Sequence, residues 1–260
     1  MGIINSELRK LFTLKLPWLL VIITLLLAAA FSALTAWSYS TVPEGVEVPG
    51  MNDPLQTAES VYRAGLMPAY LAAFTGAAML IGQEWGHNTW TATFLATPRR
   101  WTVLFGKMVA SVVVGLLVGL SLLAGALAGG IPFMIANDME VFPQSADLIT
   151  MLASQVLACI LWALLGMGLA LLLKSTVATV LIGFAFSIIG EQVIFVLSMI
   201  WDWVGDAARF LPGSATGALT NSPNGPWDVL PMWAGGLVLA GYALLFVILG
   251  GLRRNSTDVT

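Results

Sequence analysis

Long apolar runs alternate with short polar connections along the whole chain. Six runs are long enough to cross a bilayer, which takes about 20 apolar residues in a helix. They cover roughly 17–37, 64–83, 103–134, 147–173, 176–200 and 229–252. The third and fourth exceed that length and are expected to tilt, kink or protrude. Pro132 stands where it would kink the far end of the third. Ahead of the first run, residues 3–15 carry helical periodicity, with Ile4, Leu8, Leu11 and Phe12 on one face and Asn5, Ser6, Arg9, Lys10 and Thr13 on the other. This predicts an amphipathic helix lying in the membrane interface, with a plain basic flank to the first span as the alternative.

The connections differ in character. Residues 38–62 predict an acidic loop with Pro43, Pro49 and Pro54. Gly82 to Lys107, GQEWGHNTWTATFLATPRRWTVLFGK, is polar and Thr-rich between two apolar runs. Within it Thr97-Pro98 reads as a helix start, Thr97 as N-cap and Pro98 at the first helical position. Arg99 and Arg100 then stand at the positive end of a helix dipole, where cations are disfavoured. They call for an anionic neighbour, either lipid phosphate or an acidic patch on a partner protein. Lys174-Ser175-Thr176 is a very short turn that makes spans four and five a tight hairpin. Residues 201–228 form an aromatic and acidic segment with room for a short interfacial helix, and 253–260 a polar tail. The organisation is a single membrane domain over 1–260: a connecting helix at 1–16, a six-helix bundle at 17–252 and the tail. No soluble domain or internal repeat is evident.

Composition agrees. The chain is 58% hydrophobic and 10% charged, too apolar for a soluble domain to keep its surface in water. With the N-terminus in the cytoplasm, nine of the eleven basic residues fall inside: Arg9, Lys10, Lys15, Arg99, Arg100, Lys107, Lys174, Arg253 and Arg254. Arg63 and Arg209 fall outside, where most of the acids also gather. The positive-inside rule thus predicts both termini inside. The net charge of −3 leaves no nucleic-acid footprint. Tryptophans cluster near both predicted boundaries, as an interfacial belt does, and Trp162 alone lies deep in a span. The basic flank, apolar run and small residues at Ala28–Ala33 also have the outline of a signal peptide, but the run outlasts a usual one.

Few residues offer chemistry. Cys159 is the single cysteine and His87 the single histidine, so no disulfide framework or zinc site is expected. No Walker A loop is present, and the chain is not expected to bind or hydrolyse ATP by itself. Gly115-x3-Gly119 and Gly125-x3-Gly129 predict close helix packing in the third span. Glu191, beside Gln192 in the fifth span, is the outlier. An ionisable residue at that depth marks a substrate or proton path by default. The structural alternative is a carboxyl bonding a neighbouring helix or capping a break at Gly190.

Taken together, these elements resemble the transmembrane subunits of ABC-2 type transporters. The resemblance rests on Glu84 to Arg100, EWGHNTWTATFLATPRR, leading to Lys107, which is similar to a cytoplasmic element after the family's second span. It rests also on Ile189-Gly190-Glu191-Gln192, on Arg209-Phe210-Leu211-Pro212-Gly213-Ser214-Ala215 before the last span, and on the N-terminal Ser6-Glu7-Leu8-Arg9-Lys10-Leu11. Gly86 departs from it, since members often carry arginine there. The resemblance implies an all-α membrane protein of six helices in a bacterial plasma membrane. It also implies a second permease copy or paralogue, and a separate ATP-binding cassette subunit that holds the ATP and Mg while this chain carries no cofactor. It further implies that Glu84–Thr97 is the coupling helix docked on that subunit, with Glu84, Trp85, His87, Thr89, Thr97, Arg99 and Arg100 as its contacts. The function implied is ATP-driven export of an amphipathic or hydrophobic substrate of the drug, peptide-antibiotic, lipid or glycan class. A six-helix scaffold or channel that works without nucleotide is the alternative.

Overall fold

A computed structural model describes residues 3–41, 53–86, 100–222 and 230–255, and among them the secondary structure is helical throughout. The elements are α1 (Ile3–Thr13), α2 (Lys15–Ser40), α3 (Pro54–Arg63), α4 (Leu66–Gly86), α5 (Arg100–Ala136), α6 (Ser145–Leu173), α7 (Thr176–Ala185), a π-helical turn (Phe186–Gly190), α8 (Glu191–Ser198), α9 (Asp202–Ala208), α10 (Pro212–Leu219) and α11 (Met232–Asn255). Six stretches of described helix are long and apolar enough to cross a membrane: Lys15–Ser40, Pro54–Gly82, Trp101–Ala136, Ala146–Leu173, Thr176–Ser198 and Met232–Arg253. The six expected spans are all there. α5 runs on through Pro132 to Ala136.

Small residues set the packing. Without water to drive apolar surfaces together, helices in lipid associate where their backbones approach closely. The two glycine pairs of α5 serve different neighbours. Gly115 and Gly119 press on α6, where an added Cβ would stand 2.5 Å from Ile160 Cα and 3.0 Å from Val156 Cα. Gly125 and Gly129 press on α2, against the backbone of Leu25 and Ala29. Gly65 meets Ala28, and Gly76 meets Leu20 and Val114. These meetings run α2 and α5 in one direction and α4 in the other. On the far side Gly166 meets Phe74, and Gly168 and Gly250 seat α11 on α6. The core collects Phe74, Leu122, Trp162 and Met167 from α4, α5 and α6. Gly129→Leu should therefore drive α2 from α5. Overpacking costs about 1–3 kcal/mol in a well-packed core, and more here because backbone lies in the way. A lower unfolding temperature in detergent, with Gly241→Leu as the harmless control since nothing lies near that position, checks this.

The ends of the elements follow capping chemistry. Ser175 caps α7 by accepting the Ala178 N–H at 3.2 Å, and Lys174 takes the left-handed turn at φ 57° that ends α6. The tight hairpin of spans four and five is thus present, with two residues between the helices. The loop expected over 38–62 needs correction. Its second part is α3, begun by Asp53, which accepts the Leu55 N–H at 2.9 Å, with Pro54 at the first helical position. α3 buries Ala58, Val61 and Tyr62 and runs almost directly into α4. The 201–228 segment is also more than peripheral, since α10 is buried along nearly its whole length.

Candidate functional site

Two arrangements carry polar chemistry among the described residues, one at each end of the bundle. The first lies near Glu191. The π-helical turn Phe186–Gly190 precedes it directly, widening the helix by one residue before α8 resumes. Gly190 is thus part of a wide turn inside a continuous span and does not break it. Glu191 Oε1 accepts the Gly213 N–H at 2.7 Å. Gly213 is in the first turn of α10, behind Leu211 and Pro212, where backbone N–H groups lack partners within the helix. The carboxylate fills that need from a different span. A Cβ at Gly213 would stand 2.6 Å from Glu191 Cδ, so glycine is what admits the carboxylate.

α10 is held on its other side by a tryptophan. Trp162 Nε1 donates to Thr216 Oγ1 at 2.8 Å, and Thr216 Oγ1 donates to the Pro212 carbonyl at 2.7 Å. α6 begins at Ser145, so at about 1.5 Å per residue Trp162 sits about 25 Å along its axis. α10 therefore reaches well into the depth of the bundle. Tyr70 stacks on Trp162 with centroids 4.4 Å apart, and Phe74 meets it edge-on at 6.1 Å.

Between these elements is a cavity of about 370 Å³ whose wall includes Arg63, Tyr70, Ser187, Glu191, Gln192 and Thr216. The structure thus brings Glu191 and Gln192, both singled out in the sequence, to one cavity. Arg63, which sequence reasoning left as a stray cation, belongs to it as well. Its guanidinium pairs with Glu59 at 3.3 Å, one turn back on α3, and donates to the Asn221 carbonyl at 3.4 Å. The signal that points to Arg63 was the Asp53-Pro54 helix start, which places Glu59 and Arg63 at i, i+4.

The second arrangement is a buried ion pair at the opposite end. Lys107 Nζ donates to Glu7 Oε2 at 3.3 Å, and Lys10 Nζ to Glu7 Oε1 at 3.1 Å. Glu7 and Lys107 are 8% and 2% exposed. α1 is tied by this pair, and by the fully buried Leu11, to the start of α5. Ile4 and Phe12, from the expected apolar face, remain exposed. Removing one member of a buried pair costs about 3–5 kcal/mol when the other charge is left alone, and less here because Lys10 still faces Glu7. Lys107→Met should lower thermal stability, and Glu7→Leu with Lys107→Met should recover most of the loss. A double variant no better than the single would contradict the pairing.

The expected coupling residues divide. Glu84 and Trp85 fall in the last turn of α4, and Arg100 begins α5. His87, Thr89, Thr97 and Arg99 lie outside the described residues, as does the Thr97-Pro98 helix start. No group of metal-ligating side chains occurs among the described residues.

Comparison with known proteins fits this geometry. No curated protein and no solved structure matches the chain. A family model described as ABC-2 family transporter protein matches residues 3–190, from α1 through the π-helical turn to the residue before Glu191. With six membrane-spanning helices and this match over more than two thirds of its length, the chain belongs to the ABC-2 family of transporter proteins as a multi-pass membrane component.

Proposed function

We propose that this chain is the permease subunit of an ATP-driven exporter, working as a pair of permease subunits with a separate ATP-binding cassette subunit in a bacterial plasma membrane. The family match over residues 3–190 carries the reading. The distribution of basic residues supports an orientation with both termini in the cytoplasm. The Glu84–Arg100 segment would then face the ATP-binding subunit. The Glu7–Lys107 pair would link α1 to the helix that follows this segment. A push on the coupling segment would reach α5, and through its glycine contacts α2 and α6. Broad apolar exposure on α2 and on α7–α8, including Leu26, Leu34, Leu181 and Ile189, supports faces for lipid and for a second permease copy.

At the other end, Glu191 and Gln192 would stand on the substrate path, with the cavity near its exit. Amphipathic or hydrophobic molecules would meet apolar members of this wall such as Leu66, Met67 and Phe195. The test is co-purification. Full-length chain, solubilised gently from its native membrane, should bring down a soluble protein with a Walker A loop in stoichiometric amount. Recovery of the chain without such a protein, under conditions that keep the helices folded, would favour a scaffold or channel independent of nucleotide.

A further inference from the structure

The walls of the Glu191 cavity favour one ligand chemistry. The charge of Arg63 is paired with Glu59 at 3.3 Å, and its Nη2 also donates to the Asn221 carbonyl, while its Nε has no hydrogen-bond partner among the described residues. Among the described residues Glu191 pairs with no side-chain cation, and its carboxylate accepts the Gly213 N–H at the first turn of α10. A helix terminus supplies about half a charge at most. With Glu191 ionised, the wall keeps an excess of negative charge. A second acceptor lies beside it: Ser187 is 4% exposed, lines the cavity, and its Oγ has no hydrogen-bond partner among the described residues. Buried hydroxyls without a partner are uncommon and point to a group that is missing from the site. The wall also carries an apolar and aromatic group, Met67, Tyr70 and Phe195, beside the neutral polar Gln192 and Thr216. The Tyr70 ring is held in place by its stack on Trp162.

We propose that this cavity binds an amphipathic cation, its ammonium group held between Glu191 and Ser187 and its apolar body against Met67, Tyr70 and Phe195. An ammonium offers three donors. The carboxylate and the Ser187 hydroxyl oxygen accept two of them, the first as a charge-assisted bond of the stronger kind. An anion meets the Glu191 charge, and the Arg63 guanidinium on the same wall is already shared with Glu59. A neutral apolar molecule leaves Ser187 unpartnered. A volume of about 370 Å³ suits a small amphiphile or the head of a larger one.

The role of this site in export rests on the permease reading; its binding chemistry does not. The test uses the full chain with its co-purifying subunit in phosphatidylcholine nanodiscs, without nucleotide. The probes are dansylcadaverine, a fluorescent primary amine, and its neutral N-acetyl derivative. The unaltered protein should bind the amine at least tenfold tighter than the acetyl derivative. Glu191→Gln should bring the amine to the affinity of the derivative, and Ser187→Ala should weaken the amine severalfold. Equal affinity for the two probes on the unaltered protein would overturn the proposal, and that comparison requires no variant to fold. Wild-type amine affinity in a folded Glu191→Gln protein would overturn it too. Failure to find an ATP-binding partner would instead strike the permease reading and leave the binding result standing.

Discussion

Exchanging Arg99 and Arg100 together for glutamate should uncouple this protein from the proposed ATP-binding subunit. Both residues follow Pro98 in sequence ahead of the third span, and in the proposed orientation this segment would lie on the cytoplasmic side. Exposed charge pairs are each worth only about 0.2–1 kcal/mol. Reversal does more than remove them, because like charges set against each other across an interface cost several kcal/mol. Assembly should weaken more than tenfold, or ATP hydrolysis should continue without driving transport, while the chain still reaches the membrane. Lysine at both positions should keep most of the coupling. If the arginines serve only lipid phosphate, the glutamate variant should insert less well yet assemble normally. Wild-type assembly and coupled hydrolysis at normal expression would remove the docking role.

Glu191→Leu should disturb the protein more than Glu191→Gln, and the difference separates structure from transport. Leucine deletes the acceptor of the Gly213 N–H. A buried donor left unsatisfied costs about 1–3 kcal/mol, and α10 should loosen where it meets Trp162. Glutamine keeps an oxygen for Gly213 and nearly the same size, and removes only the charge. The Gln variant should therefore assemble and melt like the parent, with transport-coupled ATP hydrolysis reduced severalfold. Unchanged coupling in Gln, together with loss of fold in Leu, would make Glu191 a cap on α10 and nothing more.

Much of this architecture is legible in the chain because the bilayer simplifies the problem. Backbone groups in hydrocarbon must satisfy one another, so an apolar run of sufficient length has to be a helix. That argument finds all six spans. Periodicity of four apolar residues finds α1, and the Lys174-Ser175-Thr176 turn finds the hairpin. It fails where segments are short and amphipathic. α3 was hidden in an acidic, proline-bearing stretch, although Asp53-Pro54 carries the same signature as Thr97-Pro98. A short helix had room in 201–228, but an interfacial place was expected for it; the burial of α10 depends on partners far away in sequence, Glu191 and Trp162.

The site divides the same way. Glu191 stands out because a charge in a span is costly. Its partner does not, since nothing local links residue 191 to the backbone of residue 213. Arg63, Ser187 and Tyr70 enter the cavity only through the packing of α3, α4, the π-helical turn and α10. Glu7 and Lys107 are a hundred residues apart, and neither looks unusual beside the other charges near it. Glycine spacing in α5 signals close approach but not direction. Only the structure assigns Gly115 and Gly119 to α6, and Gly125 and Gly129 to α2.

In the proposed function, transport runs through a nucleotide cycle carried by another subunit. Titration with a fluorescent ATP analogue, on the purified chain alone and on the complex with its co-purifying subunit, tests it most directly. The chain alone should show no saturable binding, and the complex should show binding with Mg-dependent hydrolysis. Saturable nucleotide binding by the isolated chain, or a complex in which neither binding nor hydrolysis occurs, would contradict it.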